Sequence, residues 1–235
     1  MLRPENIDVV ILCGGLGSRL RNVIHDRPKP MAEIHEKPFL DILISFISGY
    51  GFTRFILCTG FQGNIIQKYY ESRKTPFTIV FSEEHEAMGT AGAIKNAEPF
   101  IKSNIFLTTN GDSLCRLSIP NFLNFHYTKK AFASIALISK ETSIDCGVVH
   151  LNKNGLVAGF HEKKDETMNC LVNAGMYFFQ REALSFIPAN RNYSLEHDLF
   201  PHLIKSKDVY GFQTEAFLFD IGTPERYEMA KKYLA

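Results

Sequence analysis

The chain has 235 residues, of which 45% are hydrophobic and 22% are charged, so it is long enough to bury a sizeable core. Its 26 basic and 25 acidic residues nearly cancel, which argues against a partner bound through overall charge, such as nucleic acid. The N-terminal segment is too charged for a signal peptide and no run is apolar for the ~18 residues of a membrane helix, so we expect a cytoplasmic protein without a membrane partner.

The first half of the chain alternates strand-like and helix-like segments. Short apolar, β-branched runs predict buried strands, and apolar residues at helical spacing predict the helices between them. We predict strands at 8–13, 54–60, 77–83 and 104–112 and helices at 39–51, 64–72 and 90–101. This order predicts a largely parallel sheet with helices on both faces.

The second half has strand-like runs with short connections, which predicts a more antiparallel extension of the sheet. We predict strands at 132–139, 146–152, 156–163, 170–179 and 209–222 and helices at 194–205 and 224–234. No repeat or low-complexity segment interrupts them, so we expect a single domain over residues 1–235.

The segment that follows the first strand combines bare backbone with positive charge. Gly14, Gly15 and Gly17 lie where ligands bind in such sheets, beyond the carboxyl end of a parallel strand. The segment fits neither the dinucleotide fingerprint nor the phosphate loop with its Gly-Lys-Ser/Thr ending. Instead it supplies Arg19 and then Lys29, which is held between two prolines. A planar guanidinium and a point charge suit a triphosphate whose leaving group gains negative charge.

The sequence resembles the sugar-1-phosphate nucleotidyltransferases over nearly its whole length. The segments that carry the resemblance are GGLGSRLR…RPKPM, EKPFLDILI, MGTAGAI, NGDSL, CGVV, FHEKK, NAGMYFF and FDIGTPERY, in the family's order. The resemblance implies a Rossmann-like three-layer α/β sandwich with a mixed, mostly parallel central sheet. It also implies a nucleotide-binding half at about 1–113 and a sugar-binding half at about 114–235.

The family's reaction joins a sugar 1-phosphate and a nucleoside triphosphate to give a nucleotide-sugar and pyrophosphate. By resemblance, Arg19 would bind the departing pyrophosphate and Lys29 would clamp the α-phosphate. The other nucleotide-binding residues would be Leu12, Gly14, Gly15, Gly17, Ser18, Glu84, Gly89 and Thr90. The alternative for Arg19 is a solvated loop charge, and for Lys29 an exposed turn residue.

The metal prediction concerns Asp112 and Asp220, each of which is expected to end a strand. By resemblance both would share one Mg²⁺, and Asp112 would also count among the catalytic residues. Magnesium prefers one or two carboxylates together with substrate oxygens and water. Each aspartate alone could instead form an Asx turn. The five cysteines are widely spaced and odd in number, which argues against a disulfide framework or a zinc site.

The sugar-binding residues implied by the resemblance follow in the second half. They are Gly147, Glu162, Lys163, Asn173 and Gly175. The family usually has proline after the lysine, whereas this chain has Lys164, so either lysine could contact the sugar phosphate. The alternative for 173–179 is a plain strand with a bulge at Gly175.

The nucleotide loop most resembles the branch of the family that uses GTP and D-glycero-α-D-manno-heptose 1-phosphate for surface polysaccharide such as capsule, S-layer or lipopolysaccharide. A uridylyl- or thymidylyltransferase for a hexose or amino-sugar phosphate is an alternative, as is a mannose-1-phosphate guanylyltransferase. A further alternative is an inactive sensor subunit that binds a nucleotide-sugar. A homodimer is compatible with the sequence.

Overall fold

The fold is described from a computed structural model, for residues 3–20, 23–140, 147–162 and 170–234. The strands are β1 (Asp8–Leu12), β2 (Glu33–Ile34), β3 (Lys37–Pro38), β4 (Arg54–Thr59), β5 (Thr78–Glu83), β6 (Ile105–Asn110), β7 (Ser113–Cys115), β8 (Ala133–Lys140), β9 (Gly147–Leu151), β10 (Val157–Glu162), β11 (Cys170–Gln180), β12 (Val209–Thr214) and β13 (Leu218–Asp220). The α-helices are α1 (Phe39–Ser48), α2 (Gly63–Glu71), α3 (Gly89–Asn96), α4 (Ile119–Thr128), α5 (Phe200–Leu203) and α6 (Pro224–Tyr233).

Nine of these strands form one mixed sheet that connects the two halves of the chain. Strands β6, β1, β4 and β5 are neighbours and run parallel, as the alternation of strands and helices predicts. Strand β11 runs antiparallel to β6 and to β8, and β8 pairs in parallel with β12. The β9–β10 hairpin extends the sheet from the first part of β11. The prediction of a mixed, mostly parallel sheet with an antiparallel extension is confirmed.

Two apolar clusters cover the two faces of the sheet, because successive side chains of a strand point to opposite faces. Val9 and Ile11 of β1 pack into the cluster that includes residues of α1, α2, α4 and α6. Val10, between them, packs into the cluster that includes residues of α3 and α5. The molecule is therefore a three-layer sandwich, as predicted.

The predictions were wrong in three segments. The predicted strand 209–222 is two strands in different sheets, since the chain leaves β12 at a turn in which Thr214 Oγ1 accepts the Ala216 N–H. The predicted helix 194–205 is helical, but it begins as a π-helical turn over Leu195–Leu199, in which the Leu199 N–H donates to the Ser194 carbonyl and the Phe200 N–H to the Leu195 carbonyl. Helix α4 was not predicted, although Ser118 caps it and a proline lies in its first turn.

The two short strands β7 and β13 position the functional residues. The chain turns at Gly111 after β6, and β7 then pairs with β13 so that Ser113 lies opposite Asp220. The Ile221 N–H donates to the Asp112 carbonyl at 3.0 Å. Asp112 and Asp220 thus lie on neighbouring segments at the carboxyl edge of the main sheet.

Four cysteines, Cys13, Cys58, Cys115 and Cys170, are buried free thiols, and Cys146 lies outside the described residues. Within the described parts of the chain, no helix has both the length and the apolar character needed to cross a membrane.

Candidate active site

A cleft of about 610 Å³ opens at the carboxyl ends of β1, β4, β5 and β6. Nine residues predicted from the sequence to act on the nucleotide or the metal line it together: Leu12, Gly14, Gly15, Gly17, Lys29, Glu84, Gly89, Thr90 and Asp112. They come from four separate segments, which meet because parallel strands end at the same edge of the sheet.

Gly14 and Glu84 meet closely inside the cleft. A Cβ atom on Gly14 would lie 2.4 Å from Glu84 Oε1, so a side chain there would displace the Glu84 carboxylate from its place in the cleft. Glu84 Oε2 accepts the Met88 N–H at 3.2 Å. Burial raises the pKa of Glu84, and the Met88 hydrogen bond offsets only part of that rise. Among the described residues, none donates a hydrogen bond to Oε1, which leaves an acceptor at the cleft wall.

Lys29 is held rigidly at the cleft. It begins a one-turn 3₁₀ helix, Lys29–Met31, with Pro28 before it and Pro30 inside it. The Met31 N–H donates to the Pro28 carbonyl, and the Ala32 N–H donates to the Lys29 carbonyl. The Lys29 side chain is only 14% exposed, and its Nζ donates to Asp112 Oδ2 at 2.6 Å. The prolines thus fix the backbone from which this ammonium group reaches the carboxylate.

Asp220 has a cationic partner of its own. Its Oδ1 accepts from Arg226 Nη1 at 3.2 Å and from the Gly222 N–H at 3.0 Å. A Cβ atom on Gly222 would lie 3.7 Å from Lys29 Nζ and 3.8 Å from Arg226 Nη1, so both cations approach the same point. Two carboxylates and two cations therefore meet beside the cleft, and their formal charges balance.

The two aspartates fit Mg²⁺ only as a partial ligand set. Among the described residues, no cluster of three or more histidine, cysteine, aspartate or glutamate side chains could hold a metal ion. Two carboxylates next to a phosphate-sized cleft match the preference of Mg²⁺ for a few carboxylates completed by substrate oxygens and water. The donor set is thus compatible with a metal that arrives together with a phosphorylated substrate.

Backbone register places the strands of the predicted sugar-binding residues beside one another. Glu162 in β10 lies opposite Gly147 in β9, and Val148 next to Gly147 pairs with Val172 next to Asn173. Lys163 and Lys164 lie outside the described residues, so the choice between these two lysines stays open.

Gly175 lies at a register shift in the pairing of β11 with β8, between Asn173 and Tyr177. Its φ of +70° is in the left-handed region, and a Cβ atom there would lie 2.7 Å from Asn110 Nδ2. Asn110 in turn lines the cleft. The bulge considered as the alternative at this position therefore exists, and Gly175 brings β11 against Asn110 at the end of β6.

Ser18 and Arg19 are predicted nucleotide residues that do not line the cleft, and Asp220 and the described sugar residues do not line it either. Ser18 and Arg19 are both exposed in the one-turn 3₁₀ helix Ser18–Leu20, and neither is among the described residues that line the cleft. The role of Arg19 at the pyrophosphate stays a prediction.

Sequence reasoning missed several residues of this region. Leu16 and Phe61 are exposed apolar side chains that line the cleft, and Asn192 lines it from the far side of α3. The sequence could have indicated Arg226. It lies in the first turn of the helix that Thr223 caps, and this helix begins just after Asp220, so a contact between Arg226 and Asp220 was foreseeable. Glu196, which bonds to both Thr90 and Asn173, was passed over within a segment interpreted as an ordinary helix.

Comparisons with known proteins agree with this geometry. The sequence matches the nucleotidyl transferase family over residues 8–235. It is 32% identical over 228 residues to D-glycero-α-D-manno-heptose 1-phosphate guanylyltransferase of Aneurinibacillus thermoaerophilus, covering 97% of this chain and 98% of that protein. It is 30% identical over 229 residues to mannose-1-phosphate guanylyltransferase of Mycobacterium tuberculosis, covering 96% of this chain and 64% of that protein.

A solved structure is similar as well. The crystal structure of HddC from Yersinia pseudotuberculosis complexed with GMP-PN superposes with a TM-score of 0.86 at 31% identity, covering 97% of this chain and 100% of that one. The fold, the cleft and the match along the sequence lead to the same assignment: this chain belongs to the nucleotidyl transferase family.

Proposed function

We propose that this protein transfers the guanylyl group of GTP to D-glycero-α-D-manno-heptose 1-phosphate. A phosphate oxygen of the sugar attacks the α-phosphorus, the new P–O bond forms, and the bond to the β-phosphate breaks to release pyrophosphate. The observation that carries this proposal is the convergence of Lys29, Asp112 and Asp220 beside a cleft walled by the glycine loop. The full-length similarity to a heptose 1-phosphate guanylyltransferase supports the choice of substrates.

In this reaction the chain acts by position and charge rather than by forming a covalent bond to the substrate. Lys29 already lies at the cleft in the free protein, where the carboxylate of Asp112 balances its charge. We infer that Lys29 turns from Asp112 to the α-phosphate when the triphosphate enters. An ammonium group there stabilises the negative charge that grows as the pyrophosphate leaves.

Asp112 and Asp220 are the residues that would hold Mg²⁺. When bound, the metal would neutralise charge on the phosphate oxygens. The release of Lys29 from Asp112 and the withdrawal of Arg226 from Asp220 would free the two carboxylates. Both cations lie near Gly222, so each can exchange a carboxylate partner for a phosphate oxygen over a short distance.

Glu84 supports guanine as the base. Guanine presents two adjacent donors, N1–H and the N2 amino group, and a carboxylate can accept from both. Glu84 Oε1 lies at the cleft wall against Gly14 and has no donor among the described residues, whereas Oε2 already receives one N–H. Uracil and thymine offer a single N–H with carbonyls on each side. A carboxylate in this place therefore favours guanine.

Replacing Glu84 with glutamine should lower kcat/KM for GTP by roughly 10- to 100-fold, since a hydrogen bond to a charged group is lost and an amide N–H₂ faces the guanine donors. The measurement is kcat/KM for GTP and for ITP, which lacks the N2 amino group. The preference of the wild type for GTP over ITP should shrink in the variant. Glu83→Gln is the matched control, because Glu83 is an exposed neighbour that does not line the cleft. An unchanged ratio of GTP to ITP would remove Glu84 from base recognition.

The test of the proposed function is a substrate matrix. Purified protein with Mg²⁺ is incubated with GTP, UTP, dTTP or ATP and with the 1-phosphates of D-glycero-α-D-manno-heptose, mannose or glucose. We expect pyrophosphate release to be fastest with GTP and the heptose phosphate, and mass spectrometry should detect the GDP-sugar. A faster reaction with mannose 1-phosphate would support the second candidate, to which the mycobacterial relative points. No pyrophosphate from any pair would indicate the inactive sensor.

A further inference from the structure

The carboxylate of Glu196 lies between the proposed nucleotide half and the proposed sugar half of the site. Glu196 belongs to the π-helical turn Leu195–Leu199, which precedes α5. Single π-turns of this kind often occur at functional sites, because they aim a side chain that a regular helix would direct elsewhere. Glu196 does not line the cleft itself. Its connection to the cleft runs through Thr90, which lines the cleft and donates to the Glu196 carboxylate.

One oxygen of this carboxylate bonds to the strand that carries the predicted sugar residues. Glu196 Oε1 accepts from Asn173 Nδ2 at 3.3 Å and from the Tyr177 hydroxyl at 3.1 Å. Tyr177 is fully buried, and its own oxygen accepts from Asn173 Nδ2 at 2.7 Å. A fully buried hydroxyl needs a partner, and here it has one on each side.

The other oxygen bonds to the segments next to the nucleotide cleft. Glu196 Oε2 accepts from the Thr90 hydroxyl at 3.4 Å and from the Ser194 hydroxyl at 3.2 Å. Thr90 lies in the first turn of α3 and lines the cleft. The Thr90 oxygen also receives the Leu195 N–H at 2.8 Å, so the helix and the π-turn are joined by two bonds.

The direction of every proton in this network is fixed. The hydroxyl oxygens of Thr90 and Ser194 receive backbone N–H groups, so their own protons point to Glu196. The Tyr177 proton points to Glu196 as well, because its oxygen already accepts from Asn173. The two oxygens of Glu196 receive all four donors, whereas the amide of a glutamine has one acceptor oxygen and could receive only two of them.

The network also limits what Asn173 can offer a ligand. Its Nδ2 donates towards both Tyr177 and Glu196, which fixes the side of the amide that faces them. Its Oδ1 accepts the Gly175 N–H at 2.9 Å and keeps one lone pair. Held in this way, Asn173 presents Oδ1 as an acceptor, which suits a sugar hydroxyl that donates.

We propose that Glu196 is a positioning residue. It fixes the amide of Asn173 as an acceptor for a sugar hydroxyl, and it joins β11 to the first turn of α3. This proposal rests on the proposed function, because that function makes Asn173 a sugar contact and the cleft a nucleotide site. It adds a residue that acts through Asn173 rather than on the substrate.

Glu196→Ala should raise the KM for the sugar 1-phosphate by roughly 10-fold or more, since Asn173 and Tyr177 both lose their acceptor and the amide is then held only by Tyr177 and the Gly175 N–H. The KM for GTP should change by less than ~3-fold, because Thr90 keeps its bond from the Leu195 N–H. The decisive measurement is a double-mutant cycle with Asn173→Ala. If Glu196 acts through Asn173, adding Glu196→Ala to Asn173→Ala should raise the sugar KM by less than ~2-fold.

Asp198→Ala is the matched control. Asp198 lies in the same π-turn, where its Oδ2 accepts the Ser194 N–H at 2.8 Å, and it bonds neither to Asn173 nor to Thr90. Its removal should lower the unfolding midpoint without changing the sugar KM. If Glu196→Ala does not fold, Glu196→Asp serves instead, because the shortened carboxylate cannot reach both β11 and α3 and should also raise the sugar KM.

Two results would overturn the inference. One is a sugar KM in the Glu196 variant that stays within ~2-fold of the Asp198→Ala value. The other is independent, multiplying effects of Glu196→Ala and Asn173→Ala in the cycle. The assays use whichever pair of substrates the wild type turns over fastest. If that pair contains a different sugar or base, the proposed function is wrong, but the role of Glu196 can still be tested. A wild type inactive with every pair would overturn both proposals.

Discussion

Lys29→Met should lower kcat by roughly 10³-fold while the KM for GTP changes by only a few fold. The Lys29 ammonium lies at the cleft and is only 14% exposed, so its charge acts on the phosphates with little screening by water. Most of its effect is expected where negative charge grows in the transition state, and losing one such cation or donor costs ~10²–10⁵-fold in comparable sites. The measurement is kcat and KM from pyrophosphate release under saturating Mg²⁺.

Two controls separate this electrostatic role from a structural one. Lys29→Arg keeps the positive charge and should retain more activity than the methionine variant, though not all, because the guanidinium is broader than the ammonium group. Lys37→Met removes an exposed lysine of β3 that does not line the cleft, and it should leave kcat unchanged.

Lys29→Met also leaves Asp112 without its partner. Since Asp112 is 35% exposed, water can solvate it and we expect only a small loss of stability. A Lys29→Met enzyme with wild-type kcat would contradict the proposed mechanism.

The parallel part of the fold could be predicted because its signals are local. Each buried strand of the first half is a short β-branched run, and each helix between them repeats apolar residues at helical spacing. The division of 209–222 into two strands was not local. The polar residues Gln213, Thr214 and Glu215 interrupt the apolar ones, but a short polar stretch also fits a single strand, and only the pairing of β13 with β7 shows that the second part belongs to another sheet.

The candidate site shows the same limit. Gly14, Lys29 and Asp112 were found by motif, and strand ends at one sheet edge explain why they meet. The ion pair between Lys29 and Asp112 was not predicted, since a sequence motif identifies residues but does not say which of them bond to each other in the free protein. Glu196 was missed because its four bonds reach residues far apart in the chain, such as Thr90 and Asn173. Its local sequence resembles any helix start.

Asp220→Asn should lower kcat/KM by roughly 10³-fold when Mg²⁺ is present at about 1 mM. It should also raise the Mg²⁺ concentration needed for the half-maximal rate. The reason is that a neutral amide replaces a carboxylate whose bound metal supplies several kcal/mol of charge stabilisation. Asparagine keeps the size of the side chain and an oxygen that can accept the Gly222 N–H. A second measurement that does not depend on turnover is Mn²⁺ binding by electron paramagnetic resonance in the presence of GTP, which should weaken by at least ~10-fold.

The alternative explanation is that Asp220 matters only as the partner of Arg226, with which it pairs at 3.2 Å. Arg226→Gln removes the same ion pair from the other side and leaves the carboxylate in place. If the carboxylate is a metal ligand, Arg226→Gln should cost less than ~10-fold in kcat/KM and should not weaken Mn²⁺ binding, because it frees Asp220 rather than removing it. Equal losses in the two variants would assign Asp220 to the ion pair and would leave Asp112 as the single candidate ligand among the predicted metal residues.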